Sequence, residues 1–287
     1  MSKIIRVFPR RTNATPTDSL AFIGDPPLPA FRPKTIDEVH ISVTFTYDLR
    51  EAERLWQAWN DYYPGIVRIG GPAFNEPGGE FIPGRYIGEG YIITSRGCPN
   101  RCWFCSVWKR ENGLIELQIK EGWDLLDDNI LACSDEHIKA VFEMLGRQTG
   151  KDVTLTGGLE AKRLKKWHVE MLKTVVKPKR VFLAYDTPDD YEPLRQAAAL
   201  LREYGILSFD RFHVYCLIGF PGDRTEDAQH RLEQILDLDM CPMAMLWRDD
   251  QNNTTAEWRG FQKEWARPAI VRAKYKALKK GAEIDNA

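Results

Sequence analysis

Short apolar blocks bounded by Pro and Gly mark the early part of the chain and predict strands at 4–8, 40–45 and 66–69. Between the last two, Ala52, Leu55, Trp56 and Trp59 recur at helical spacing, predicting an amphipathic helix over 49–62. A stretch through Pro26, Pro27, Pro29 and Pro33 separates the first two strands, and Gly70-Gly71-Pro72 ends the third. The whole reads as a small β-α-β domain over 1–89. From residue 90 onward, strand-like blocks recur at 91–95, 123–126, 153–156, 181–185, 212–218 and 243–247. Helical stripes lie between the later ones. They are Ile138, Val141, Phe142 and Leu145 behind a candidate N-cap at Ser134; Leu164, Trp167, Met171 and Val175; Leu194, Ala197, Ala198 and Leu201; and Ala228, Leu232 and Ile235. Strands alternating with such helices predict βα units on a parallel sheet, an α/β fold over 90–250. The segment before the second of these strands carries Gly113 and Gly122 and no helical stripe, so the first crossover is atypical. In 251–287, Trp258, Phe261 and Trp265 predict one helix, and Pro268 suits the first turn of another.

With 287 residues the chain can form an α/β barrel with a small attachment. Forty Lys and Arg against 41 Asp and Glu leave a formal net charge of -1, which favours no polyanionic partner. Basic residues gather at Arg6, Arg10 and Arg11, at 162–166 and at 274–280, with Trp258, Arg259, Trp265 and Arg267 near in sequence. Solvated helix faces are the favoured reading of these groups, and a nucleic-acid surface the less favoured one. No apolar run reaches membrane-spanning length and the first residues lack a signal-peptide pattern, so no membrane association and a reducing, cytoplasmic setting are expected.

The densest chemistry lies in Gly97-Cys98-Pro99-Asn100-Arg101-Cys102-Trp103-Phe104-Cys105. Its CxxxCxxC spacing offers a metal centre three thiolates and withholds a fourth. A 4Fe-4S cluster normally takes four cysteines, so three leave one iron open to a small ligand. Zinc usually takes four ligands from paired motifs, and no second pair or nearby His is present. A disulfide is not expected without a secretory signal.

This spacing, with Phe104 before the third cysteine and a β-rich run over 91–96 before the first, resembles the radical S-adenosylmethionine superfamily. The resemblance implies a partial (β/α)6 barrel in which Cys98, Cys102 and Cys105 hold a 4Fe-4S cluster. It also implies that the open iron chelates S-adenosylmethionine, and that one electron from a flavodoxin- or ferredoxin-type reductant cleaves it to methionine and a 5'-deoxyadenosyl radical. Leu217-Ile218-Gly219-Phe220-Pro221-Gly222-Asp223 resembles the Gly-Phe-Pro-Gly-Glu segment of the methylthiotransferase-like and cobalamin-type branch, where an apolar strand end packs on adenine. Asp stands here for Glu. The resemblance covers about 90–248. The first domain is similar to a shortened cobalamin-binding domain, but it lacks the DxHxxG signature, so bound cobalamin is not expected. The further three-cysteine domain and nucleic-acid module of methylthiotransferases are not visible either, and the substrate stays unknown. The alternative from another class is a non-catalytic iron-sulfur electron carrier or a zinc-stabilised nucleic-acid-binding module.

In parallel α/β architectures ligands sit at the carboxyl ends of strands. Asp127-Asp128-Asn129 follows the second strand of the series, where the family places a Gly-Gly-Glu that binds the methionine ammonium; a capping turn is the plain alternative. Thr156-Gly157-Gly158-Leu159-Glu160 looks like that motif with an inserted Leu, one strand later. Either Glu160 holds the ammonium, or Asp128 does and Arg163 meets the methionine carboxylate, since guanidinium matches carboxylate geometry. Asp186 stands where family members place a ribose ligand, with a helix N-cap as the alternative role. Of the other cysteines, Cys216 and Cys241 read as apolar filler. Cys133, close behind Asp128, is a candidate hydrogen-atom donor to a substrate radical.

Overall fold

The structure, a computed structural model, describes residues 3–76, 79–249, 251 and 253–285. It is a mixed α/β protein with parallel sheets, in two compact units, Met1–Gly122 and Trp123–Ala287. The sequence reading places its first boundary at 89/90. No helix among the described residues is long and apolar enough to cross a membrane.

The first unit contains β1 (Ile4–Phe8), β2 (Ala21–Ile23), β3 (Glu38–Ser42), α1 (Leu49–Asn60) and β4 (Val67–Gly70). The strands lie in the order β2-β1-β3-β4 and every pair is parallel. The three-residue β2 escapes the sequence reading because it is too short to show a period. β3 also begins and ends earlier than its apolar run suggests, since 46–48 already turns toward α1. Side chains alternate across a strand. Ile5, Val7, Val39 and Ile41 therefore share a face, and Ala52, Leu55 and Trp59 of α1 are buried on it. Trp59 makes an edge contact with Phe22 at 5.4 Å, and its Nε1–H donates to the Gly24 carbonyl at 3.0 Å, which satisfies its polar end. Trp56 stays 38% exposed at the margin of this core, donating to the Val67 carbonyl at 3.3 Å. The unit continues through β5 (Tyr91–Ile92), β6 (Ser95–Arg96), the one-turn α2 (Val107–Arg110) and β7 (Ile115–Glu116), with β6 antiparallel to β7.

The second unit alternates β8 (Asp124–Leu125), α3 (Asp135–Gly146), β9 (Thr154–Leu159), α4 (Lys166–Met171), β10 (Arg180–Ala184), α5 (Tyr191–Glu203), β11 (Phe212–Ile218), α6 (Thr225–Asp237) and β12 (Cys241–Leu246), followed by α7 (Ala256–Trp265) and α8 (Pro268–Asp285). β8 to β12 lie side by side in chain order, all parallel. In β11, Phe212, Val214, Cys216 and Ile218 are buried while His213, Tyr215 and Leu217 are half-buried on the other face. Residues from the expected stripes of α3, α5 and α6 are buried. The stripe around α4 is rotated by one residue. His168, Val169, Leu172 and Val176 are buried and Val175 is exposed; at the last of these positions a π-helical turn over Leu172–Val176 adds a residue to the spacing.

Trp59→Ala is expected to cost about 3–5 kcal/mol of stability by cavity formation. Trp56→Ala, at a half-open site, should cost no more than about 1 kcal/mol. Urea unfolding of the two variants checks the contrast.

Candidate functional site

The cysteine loop leaves β6 through Gly97, whose φ of +83° favours glycine. An added Cβ would lie 1.8 Å from the Gly113 carbonyl oxygen, so the loop can pass Gly113 only without a side chain at 97. Cys98, Cys102 and Cys105 are all half-buried. The backbone N–H of Asn100 points to the Cys98 sulfur at 3.4 Å, and that of Val107 to the Cys105 sulfur at 3.5 Å. Hydrogen bonds to the sulfurs tune any cluster they hold. Trp108 donates its indole N–H to the Cys102 carbonyl at 3.0 Å, and the Cys105 N–H reaches the same oxygen at 3.1 Å, which folds the loop into a turn. Phe104 stands edge-on to Trp103 at 5.3 Å. Three cysteine side chains, two of them with backbone donors, fit a thiophilic cluster chemically. Among the described residues, however, no group of three His, Cys, Asp or Glu side chains is gathered around a point that could hold a metal ion.

The second group stands at the carboxyl ends of β8 and β9. The sequence reading treats Gly157-Gly158 as a loop; the structure carries β9 through both to Leu159. A Cβ on Gly157 would lie 2.1 Å from the Asp127 carbonyl oxygen, so glycine allows that backbone to approach the strand. Gly158 has a φ of +91°. Asp127 and Asn129 are buried and Asp128, between them, is half-buried. Asn129 Nδ2 donates to Glu160 Oε2 at 2.7 Å. Arg163 Nε donates to the same oxygen at 2.5 Å, and the Lys162 ammonium pairs with Oε1 at 2.8 Å. The two loops that the sequence offers as rivals thus form one polar cluster. Cys133 is buried just beyond it, after the 3₁₀ turn Ile130–Ala132.

The third group lies at the ends of β10 and β11. Asp186 accepts the Leu217 N–H at 3.1 Å, which ties the two strand ends together. Burial, and then the neighbouring Asp190 carboxylate, push its pKa up from 3.8 to about 7. The capping role falls to a box formed by Thr187 at the N-cap and Asp190 three residues on, whose carboxylate accepts from the N–H groups of Asp186 and Thr187 and from the Thr187 hydroxyl. Ile218 is buried, and Gly219, with φ +73°, donates its N–H to Asp223 at 2.8 Å. A Cβ on Gly219 would lie 2.9 Å from the Trp258 indole of α7. Arg231 of α6, also buried, donates to both Asp223 oxygens at 3.0 and 2.9 Å and to the Leu217 carbonyl at 3.0 Å. Sequence reasoning missed this clamp. Its signal was an arginine inside the apolar stripe of Ala228, Leu232 and Ile235. Cys216 is fully buried with its pKa raised to about 12, chiefly by desolvation, which suits a packing role.

No family model matches the chain, and no curated protein is significantly similar to it.

Arg231→Leu strands the buried Asp223 charge and should cost about 3–5 kcal/mol in urea unfolding, with Asp223→Asn in the same chain recovering part of the loss. Asp186 gives a pH signature. Between pH 4 and 7 the folded chain keeps a proton that the unfolded chain has lost, so its contribution to stability falls as pH rises and levels off above about 7. The melting temperature of Asp186→Asn minus that of wild type should therefore grow across this window and then stay constant; a flat difference would contradict the assignment.

Proposed function

We propose that this chain is a radical S-adenosylmethionine enzyme in which Cys98, Cys102 and Cys105 hold a 4Fe-4S cluster. The CxxxCxxC loop carries the reading, since it provides three cysteine side chains with backbone donors at two of the sulfurs. When bound, the cluster would pass one electron, drawn from a flavodoxin- or ferredoxin-type donor, to S-adenosylmethionine, and the resulting 5'-deoxyadenosyl radical would abstract hydrogen from a substrate. Parallel strands β8 to β12 with intervening helices support a partial (β/α)6 barrel as the framework.

Glu160 already balances Arg163 and Lys162, so another cation would find its charge largely met. We assign the methionine ammonium to Asp128 and the carboxylate to Arg163, which Glu160 positions while itself held by Asn129. Asp186 is assigned to the ribose hydroxyls through its second oxygen. The apolar end of β11 at Ile218 and Gly219 offers a surface for adenine. Cys133 is kept as the hydrogen-donor assignment.

Anaerobically reconstituted protein should carry about four irons per chain, lost in Cys98→Ala, Cys102→Ala and Cys105→Ala. Stoichiometric zinc without iron would overturn the reading. Reduction in the presence of S-adenosylmethionine should release 5'-deoxyadenosine. Asp128→Ala and Arg163→Ala should each weaken S-adenosylmethionine by about 1.5–3 kcal/mol, tenfold or more, with iron content unchanged. Equilibrium binding should show a smaller loss for Glu160→Gln.

A further inference from the structure

Parallel sheets are normally apolar on both faces. In the first unit one face is, while the other mixes Ile4, Phe8 and Ile23 with charged side chains. The other carries Arg6, Glu38, His40 and Arg68, and the Arg6 guanidinium holds the backbone of 84–85 over it by donating to the carbonyls of Gly84 and Arg85. The next residue, Tyr86, completes a hydrogen-bonded series. Its hydroxyl is 2.5 Å from His40 Nδ1, His40 Nε2 is 2.5 Å from a Glu38 oxygen, and the other Glu38 oxygen is 3.5 Å from Arg68.

The protons in this series can be assigned from its chemistry. Glu38 is held below the usual carboxylate range, first by the His40 hydrogen bond, so it accepts and does not donate. Nε2 therefore carries the hydrogen in the neutral ring, and the Nδ1 lone pair faces the phenol. The two rings are within 10° of parallel with centroids 6.0 Å apart, too far for tight stacking and suited to an end-on O–H···N bond in the imidazole plane. Burial raises the Tyr86 pKa, so the phenol keeps its proton at neutral pH. The residue is nevertheless 37% exposed, within reach of an outer-sphere reactant.

We propose that Tyr86 is a redox-active tyrosine, oxidised by a one-electron oxidant of the organic-radical class while His40 takes its proton. The electron leaves the phenol for the oxidant, the O–H bond breaks, and a new N–H bond forms at Nδ1. The products are a neutral phenoxyl radical and an imidazolium stabilised by Glu38. The oxidant, reduced to its anion, takes a proton from solvent and ends as the R–H compound. Glu38 has the orienting role that a carboxylate plays beside a catalytic imidazole, fixing its tautomer and stabilising its charged form. The proposal stands on the Glu38–His40–Tyr86 geometry and is independent of the iron-sulfur reading.

The test is flash oxidation of the full chain by a ruthenium(III) polypyridyl complex, read by electron paramagnetic resonance and by phenoxyl absorption. Wild type should give a fast-forming tyrosyl radical with a solvent deuterium effect. Tyr86→Phe should remove that phase with the far-ultraviolet dichroism unchanged. His40→Gln accepts a hydrogen bond but takes no proton, and should slow the phase by at least about tenfold. Added imidazole should restore it in His40→Gly. Glu38→Gln keeps the hydrogen bond without the charge and should shorten the radical lifetime, which carries the test if the glycine variant unfolds. An unchanged fast phase in Tyr86→Phe, or wild-type rate and deuterium effect in His40→Gln, would overturn the proposal and leave these contacts as a latch for residues 84–86.

Discussion

A Cβ at position 157 would lie 2.1 Å from the Asp127 carbonyl oxygen, well inside contact distance, and the polar end of the second sheet depends on glycine leaving that space open. With no side chain at 157, the backbone after β8 lies directly against β9. Asn129 then reaches Glu160, and Glu160 in turn holds Arg163. Any larger residue would push the two strand ends apart and separate groups that act together. The cysteine loop obeys the same rule at Gly97, where backbone passes backbone. Both candidate regions are thus built by close approach of main chain, which only glycine permits.

Charge is confined as tightly at the ends of β10 and β11. The Asp223 carboxylate is held by Arg231 and by the Gly219 N–H, so the turn after β11 is fixed from α6 and from its own backbone. Asp186 beside it has one N–H donor and a like-charged neighbour, and burial keeps it protonated to about pH 7. One buried carboxylate is paired and anchors the turn; the other resists ionisation, which makes the strand ends responsive to pH. The difference follows from whether a buried cation is within hydrogen-bonding reach.

The first unit divides its roles between the two faces of one sheet. α1 covers the apolar face and supplies the cohesion, with Trp59 filling its centre. On the other face residues 84–86 are held through Arg6 and Tyr86. A polar face on a parallel sheet must have its charged groups satisfied side chain by side chain, and the Arg68–Glu38–His40–Tyr86 series does so. That requirement also orients the His40 ring.

Local signals made much of this legible from the chain alone. Leu194, Ala197, Ala198 and Leu201 announce α5, the alternation in 212–218 announces β11, and the three cysteines share one loop because they lie within eight consecutive residues. Periodicity reports which face an element buries, and it lost its hold where the period changed, at the π turn after α4, or where the run was short, at β2. Pairings across the chain left no such trace. Asn129 meets Glu160 from 31 residues away, and His40 meets Tyr86 from 46. Strand register decides the first, and the path of residues 84–86 over the sheet decides the second. Hydrophobic spacing along a sequence encodes how one element meets solvent and core, whereas which polar groups share a hydrogen bond depends on backbone separations that exist only after the elements have packed.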